Sequence, residues 1–317
     1  MSIIIETKDL CKYFKTPAGL LHAVENVNIK IEQGTTMGVV GESGCGKSTL
    51  GRTILHLLEP TSGQIWFEGK DITSLSKSEN KALRKKMQII FQDPFSSLNP
   101  RMTVGQIIGE PLEIFHMFSD KEQRNQRIHE LMDMVGLSSR YINSYPHEFD
   151  GGRRQRIGIA RALSLDPSFI VCDEPVSALD VSIQAQILNL MQELQESLGL
   201  TYMFITHDLS VVRHISENIC VMYLGQLVET APAKELFKQN YHPYTRALLS
   251  SIPIPSIHKT VQPMLIRGEL TSPIDPKPGC RFASRCPFAT DLCRKESPIL
   301  KEIQPQHLVA CHHVGDV

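Results

Sequence analysis

Eight consecutive residues constrain this chain more than any other part of it. Gly41-Glu42-Ser43-Gly44-Cys45-Gly46-Lys47-Ser48 fits the pattern G-x-x-x-x-G-K-[ST] in full. Glycines at these positions let the backbone curl so that successive N–H groups face a phosphate chain, aided by the N-terminus of the helix that follows. Lys47 brings a positive charge to the β- and γ-phosphates, and Ser48 offers a hydroxyl to Mg2+, with Thr49 the next candidate contact. At average composition, a chain of this length matches by accident roughly once in a hundred. The motif needs a strand before it and a helix after it, and the flanks read that way. Thr36-Met37-Gly38-Val39-Val40 is a compact apolar run, and Ser48 to Leu58 reads as helix.

The rest of the chain repeats the same alternation. Residues 1 to about 35 alternate apolar and polar side chains, which predicts short strands, and Gly63 to Gly69 reads as another. From Val104 to about Ala162 the pattern turns helical, and Asp120 to Val135 is rich in Lys, Glu, Arg and Leu. Apolar strands return at Phe169-Ile170-Val171-Cys172 and Tyr202-Met203-Phe204-Ile205. Strands alternating with helices predict an α/β fold with parallel strands and ligand chemistry at their carboxyl ends.

Both late strands end in polar residues suited to hydrolysis. Cys172 is followed by Asp173 and Glu174. Asp173 would hold Mg2+, and Glu174 would orient or deprotonate the attacking water. An acidic turn after a strand is common, so the pair gains weight only beside the phosphate loop. His207, in Thr206-His207-Asp208, would sense the γ-phosphate and orient the same water; alone, a histidine at a strand end is usually structural.

The ordered set of motifs resembles the ABC-transporter ATPase domain. It comprises the phosphate loop, Gln92 after Ile89-Ile90-Phe91, Gly151-Gly152 with Gln155-Arg156, Asp173-Glu174, Ser177-Ala178-Leu179-Asp180 and His207. The resemblance covers residues 1 to about 240. It implies a RecA-like core, an antiparallel β subdomain and a helical subdomain at about 95–162, with ATP and Mg2+ as cofactors. It also implies that Phe14 stacks on adenine, with Tyr13 the neighbouring candidate. Gln92 would reach Mg2+ and the water while coupling to membrane subunits, and Asp180 would lie at a dimer interface. Phe91-Gln92-Asp93-Pro94-Phe95-Ser96-Ser97-Leu98-Asn99-Pro100, Tyr241-His242-Pro243-Tyr244-Thr245-Arg246-Ala247-Leu248-Leu249 and a cysteine-bearing tail narrow the resemblance to the di- and oligopeptide importer ATPases. Nickel importers share these features. The implied partners are a second, related ATPase, two membrane permease subunits and an extracytoplasmic binding protein, with this chain at the cytoplasmic face of the membrane.

One motif departs from the family. The signature Leu-Ser-Gly-Gly-Gln is replaced by Phe149-Asp150-Gly151-Gly152-Arg153. By resemblance this segment faces the γ-phosphate held by the partner's loop. A serine hydroxyl donates to phosphate, whereas ionised Asp150 only accepts and adds like charge. Arg153 offsets that charge or pairs with Asp150. The chain's own Lys47 and Glu174 are therefore expected in a hydrolysing site, and the site closed by Asp150 in a slower one; full compensation between the two changes is the simpler alternative.

The cysteines are unevenly spread. Of eight, Cys11, Cys45, Cys172 and Cys220 are scattered over the first 220 residues, while Cys280, Cys286, Cys293 and Cys311 crowd the last forty. In a reducing compartment a terminal cluster suggests metal before disulfides. The spacing contains no C-x-x-C knuckle, which weakens the structural-zinc reading, and four thiolates are what a [4Fe–4S] cluster takes. The resemblance points the same way. Zinc, with His312 and His313 as substitute ligands, and free cysteines are the competing readings. A cluster here would staple a small segment rather than perform redox catalysis. Cys172 is expected to be buried in the sheet.

Composition bounds the alternatives. Apolar and charged contents of 41% and 21% are ordinary for a globular protein, and a formal net charge of −1 offers no pull toward nucleic acid. That argues against a soluble ABC-type ATPase acting on nucleic acid or ribosomes. No apolar run approaches the roughly 18 residues that span a bilayer, and the start lacks the pattern of a signal peptide, so a cytosolic location is expected. Pro253, Pro255, Pro263, Pro273, Pro276 and Pro278 mark a change of composition after Leu249. The expected division is an ATPase domain over 1–250 and a C-terminal extension over 251–317 with the four-cysteine site.

Overall fold

The computed structural model describes residues 2–251, 264, 266, 268 and 272–315. In chain order the elements begin with strands β1 (Ile3–Thr16), β2 (Gly19–Val27), β3 (Lys30–Glu32) and β4 (Thr36–Val40) and helix α1 (Lys47–Ile54). Strands β5 (Ser62–Phe67) and β6 (Lys70–Asp71), helix α2 (Lys77–Lys86) and strand β7 (Met87–Ile90) follow. Next come helices α3 (Pro94–Ser97), α4 (Val104–Ile114), α5 (Lys121–Met134) and α6 (Gly151–Leu163). Strand β8 (Phe169–Asp173), helix α7 (Val181–Leu198), strand β9 (Thr201–Thr206) and helix α8 (Leu209–Ile215) then alternate. Strands β10 (Asn218–Tyr223) and β11 (Gln226–Pro232) precede helices α9 (Ala233–Lys238) and α10 (Pro243–Ser250). The tail carries α11 (Asp291–Lys295), β12 (Lys301–Gln304) and β13 (His307–Val309).

Two compact units emerge. The first comprises Met1–Ser2, Glu32–Thr35 and Leu75–Met203; the second comprises Ile3–Ile31, Thr36–Ser74 and Phe204–Val317.

The second unit holds two sheets. An antiparallel one runs β2-β1-β5-β6. In the other, β4 lies parallel to β10, with Met37 opposite Asn218 and Val40 opposite Val221. All five residues of β4 are buried, as are five of the six in β10. Continuous apolar runs are what a parallel strand covered on both faces requires. Beyond β10 the hairpin partner β11 pairs with β13, and β13 with β12, so the tail extends this sheet. The tail also reaches the antiparallel sheet: Ile274 bridges Leu21, the His22 N–H donates to the Pro273 carbonyl, the Asp275 N–H donates to the Leu20 carbonyl, and the Leu20 N–H donates to the Asp275 carboxylate.

The first unit pairs β7 and β8 in parallel, with Ile90 opposite Cys172, and surrounds them with helices. Their starts are locally encoded. Thr103 and Gln106 form a capping box on α4, and Asp120 caps α5 by accepting the Glu122 N–H. Ile107, Ile108 and Leu112 of α4 and Ile128, Leu131 and Met132 of α5 are almost wholly buried. Each such side chain contributes about 1.5–3 kcal/mol of apolar burial.

Most sequence-expected elements appear. Cys172 is fully buried in β8. Helix α1 is shorter than expected, ending at Ile54 rather than near Leu58, because His56 takes a left-handed φ of 54° and the Leu57 N–H folds back to the Arg52 carbonyl. Past Ser251 the described residues form one helix of five residues, and Pro253, Pro255 and Pro263 lie outside the described residues. Among the described residues no helix is long and apolar enough to cross a membrane.

Candidate functional site

In the second unit, Gly41 to Ser48 turns from the end of β4 into α1. Gly41 and Gly46 have φ of 154° and 105°. A Cβ on Gly41 would stand 2.2 Å from the Met222 carbonyl oxygen, and one on Gly46 2.0 Å from that of Ala23, so both positions require glycine. The Cys45 carbonyl accepts the Gly225 N–H at 2.8 Å, and its thiol is buried, which raises its pKa. Lys47 is buried, and its Nζ donates to the Gly41 and Glu42 carbonyls at 2.7 and 2.9 Å. The ammonium is thus held over the loop. Ser43 and Gly44 are exposed at its crest, and Ser48 and Thr49 open the helix.

Residues outside the motif fix Glu42. Its N–H donates to the Tyr244 hydroxyl at 2.8 Å. Its carboxylate accepts two bonds from the Arg285 guanidinium, at 2.7 and 3.2 Å. Tyr244 is fully buried beside Tyr223 and Phe282. Phe282 and Arg285 lie between Cys280 and Cys286, so the cysteine segment and the phosphate loop share one packed cluster. The segment from Tyr241 to Leu249 carries a family resemblance but no signal for this role of Tyr244, and no local motif marks Arg285.

Two further candidates lie in this unit. Phe14 is half-buried on β1, opposite Leu21, with the Lys12 ammonium 5.0 Å from its ring centroid. Tyr13 instead stacks on His22 at 4.1 Å and donates to Glu25, which also binds Arg281. Tyr13 is therefore engaged by His22 and Glu25, and Phe14 by the Lys12 ammonium. His207 is exposed at the end of β9, where Asp208 caps α8.

In the first unit, β8 delivers Asp173, which is buried, and Glu174, which has a left-handed φ of 48°. Gln92 Nε2 donates to Glu174 Oε2 at 3.0 Å. The structure therefore brings these two candidates into contact. Asp150 caps α6, its Oδ1 accepting the Arg153 N–H at 2.8 Å while Oδ2 stands 3.6 Å from the Arg153 guanidinium. The first-turn N–H that a phosphate would seek is thereby occupied by a side chain of its own helix. Gly151 and Gly152 lie against Leu179 and Ile183, around the helix start that Asp180 caps by accepting the Ile183 N–H.

The four tail cysteines line one cavity of about 20 Å3, with His242, Phe282, His312 and His313 around it. The Cys280 N–H donates to the Cys293 carbonyl at 2.7 Å, and the His313 N–H to Cys311 Sγ at 3.4 Å. Burial pushes the Cys280 thiol up to about 11 and raises Cys286 and Cys311, with neighbouring cysteines adding to each. Among the described residues no group of three or more His, Cys, Asp or Glu side chains forms a ready metal site. All four thiols line this pocket and supply the donor type that an iron–sulfur cluster takes, but they are not drawn together into a metal-binding group. His312 and His313 face the Glu296 carbonyl and the Thr290 hydroxyl.

His242 ties this segment to the sheet. Wholly buried, it accepts the Tyr244 N–H through Nδ1 to cap α10, and its own N–H donates to Glu229. Glu229 also meets the Tyr241 N–H and His307 Nε2. Burial lowers the His242 pKa to about 4, with Glu229 opposing the shift. The unfolded chain, with its histidine near 6.5, then binds the proton that the folded one refuses. This stabilisation is present above about pH 6.5 and falls away on acidification toward pH 4, by about 3 kcal/mol in all. Urea midpoints across pH 4–7 should show that slope, and His242→Asn, which keeps a capping acceptor, should flatten it.

Comparison with known proteins follows the same lines. A family model described as ABC transporter matches residues 24–177, and one described as the oligopeptide/dipeptide transporter C-terminal region matches residues 228–293. The chain is 52% identical to the oligopeptide transport ATP-binding protein AppF of Bacillus subtilis (strain 168), over 98% of this chain and 97% of that one. It is 50% identical to OppF, the oligopeptide transport ATP-binding protein of Escherichia coli (strain K12), over 98% and 93%. Among solved structures, the ATP-binding cassette MJ0796 in a dimeric post-hydrolysis state with ADP and phosphate matches at a TM-score of 0.67. It is 31% identical, over 73% of this chain and 99% of that one. The cbiO1 component of the cbiONQ transporter from Clostridium perfringens matches at 0.67 and 28%, over 75% and 92%.

Proposed function

The chain belongs to the ABC-transporter ATPases of the oligopeptide type, and on that premise we propose that it is one of two unlike motor subunits driving peptide import. ATP sits on Gly41–Ser48 with Phe14 against the adenine, and Ser48, Gln92 and Asp173 serve Mg2+. Glu174 activates the water and His207 orients it. The observation that carries the motor reading is the bond from Gln92 Nε2 to Glu174 Oε2 at 3.0 Å. It links the water-activating carboxylate directly to the residue that faces the permease, so movement of one biases the other. The peptide cargo is supported by the relatives, whose names specify oligopeptide transport.

The rest of the assembly follows from the same reading. A related ATPase supplies the signature that closes this chain's loop, and Asp150–Arg153, with Asp180 at the interface, closes the partner's. Two permease subunits and an extracytoplasmic binding protein complete an importer, with this chain on the cytoplasmic face. The division into an ATPase domain over 1–250 and an extension over 251–317 belongs to this proposal. In the extension, Cys280, Cys286, Cys293 and Cys311 hold a [4Fe–4S] cluster. When bound, such a cluster supplies a four-point covalent staple for a segment with little core of its own.

One preparation tests both parts. Purified anaerobically from its own host, the chain should carry with it hydrophobic permease subunits and a second ATPase, and the assembly should turn over ATP faster when peptide-loaded binding protein is added. Failure of peptide to stimulate turnover in an assembly that contains the permeases would remove the peptide assignment. The same sample should contain about four irons per chain and absorb in the visible; an iron-free, colourless anaerobic sample would refute the cluster.

A further inference from the structure

A carboxylate inside a phosphate-binding loop calls for a physical explanation. Glu42 follows the first glycine of the loop, where a negative charge opposes the triphosphate it is built to receive. The charge does not stand alone. Arg285, 243 residues away, clasps both carboxylate oxygens in a fork, at 2.7 and 3.2 Å. Its side chain is only 10% exposed and that of Glu42 26%, so water screens the pair weakly. The hydrogen bonds to Glu42 keep the guanidinium firmly protonated.

The neighbouring contacts hold the same stretch of backbone. Tyr244 takes the Glu42 N–H from one side, and Lys47 donates to the Gly41 and Glu42 carbonyls from the other. Arg285 is itself fixed, lying 3.5 Å from the Tyr223 hydroxyl and held in the turn between Phe282 and Cys286.

We propose that Arg285 is a positioning residue of the ATP site: it neutralises and orients Glu42, so that the C-terminal segment sets the affinity of the phosphate loop. This rests on the reading of Gly41–Ser48 as the nucleotide loop. Without Arg285 the carboxylate is left uncompensated near the triphosphate. In a site of effective dielectric about 20, one uncompensated unit charge beside the phosphates is enough for a tenfold or larger change in affinity. The cost should scale with phosphate charge, making it larger for ATP than for ADP.

The test is a double-mutant cycle in the full-length chain, read by equilibrium titration with a fluorescent ATP analogue, with melting temperatures alongside. Arg285→Gln is expected to weaken ATP binding about tenfold, and less so at high salt. In a Glu42→Gln background, which removes the charge to be compensated, the same Arg285→Gln change is expected to cost less than about twofold. Arg285→Lys, which keeps the charge but not the fork, should fall between and serves if the glutamine variant does not fold. Equal losses in the two backgrounds would show Arg285 to be only a packing residue and overturn the proposal, as would unchanged affinity in a folded Arg285→Gln chain. Lys47→Ala separates this from the premise: if it leaves binding intact, the loop assignment fails rather than the charge compensation.

Discussion

Glu174→Gln should lower ATP turnover of the assembled transporter by about a hundredfold or more while leaving ATP binding close to wild type. The exchange preserves geometry and removes chemistry. A glutamine amide oxygen still accepts the bond that Gln92 Nε2 gives Glu174 at 3.0 Å, so the contact survives, but the amide cannot take a proton from water. ATP should therefore accumulate in a closed assembly, visible as slowed nucleotide release. The partner chain provides the contrast. In the proposed pairing its site would be closed by Asp150, whose Oδ1 already accepts the Arg153 N–H at 2.8 Å and whose charge would oppose a phosphate. Changing the partner's corresponding glutamate should cost only a few-fold, and equal losses from the two changes would end the proposal of unequal sites.

Lys47→Ala is the second large effect, and it strikes an earlier step. Lys47 is 4% exposed and its ammonium is already positioned by two loop carbonyls, so its charge meets a phosphate with little reorganisation. Losing one charge-assisted contact to phosphate costs about 1.5–3 kcal/mol, a roughly 10- to 100-fold loss of ATP affinity. Binding and turnover should fall together, unlike the Glu174 change, where only turnover falls. Nucleotide titration beside an ATPase assay distinguishes the two patterns, and retained affinity in a folded Lys47→Ala chain would contradict the loop assignment.

How much of this was legible beforehand depended on whether the physics is local. The strand-loop-helix around Gly41–Ser48 could be read because glycine placement and an apolar run are short-range signals. The capping residues of α4 and α5 are similarly local. The end of α1 could not be read, because the left-handed turn at His56 has no glycine to announce it. Strand β10 is buried almost throughout, so it shows none of the alternation that marks a half-exposed strand. The supports of Glu42 were invisible for a different reason. Tyr244 and Arg285 lie 202 and 243 residues from it, and no window of sequence spans such pairs. The carboxylate of Glu229, which gathers His242, Tyr241 and His307, belongs to the same class.

The pairing of β4 with β10 has a consequence for how the protein is made. The strand that launches the phosphate loop finds this neighbour roughly 180 residues later, and the arginine that steadies Glu42 comes later still. At about 5–20 residues per second, a ribosome needs roughly 10–40 s to pass from one strand to the other. Throughout that interval the apolar run Thr36–Val40 emerges without its parallel partner, and the growing chain has no finished loop with which to grip ATP. The contact that holds the Glu42 carboxylate can therefore form only after Arg285 has been made, 243 residues behind the loop position it steadies.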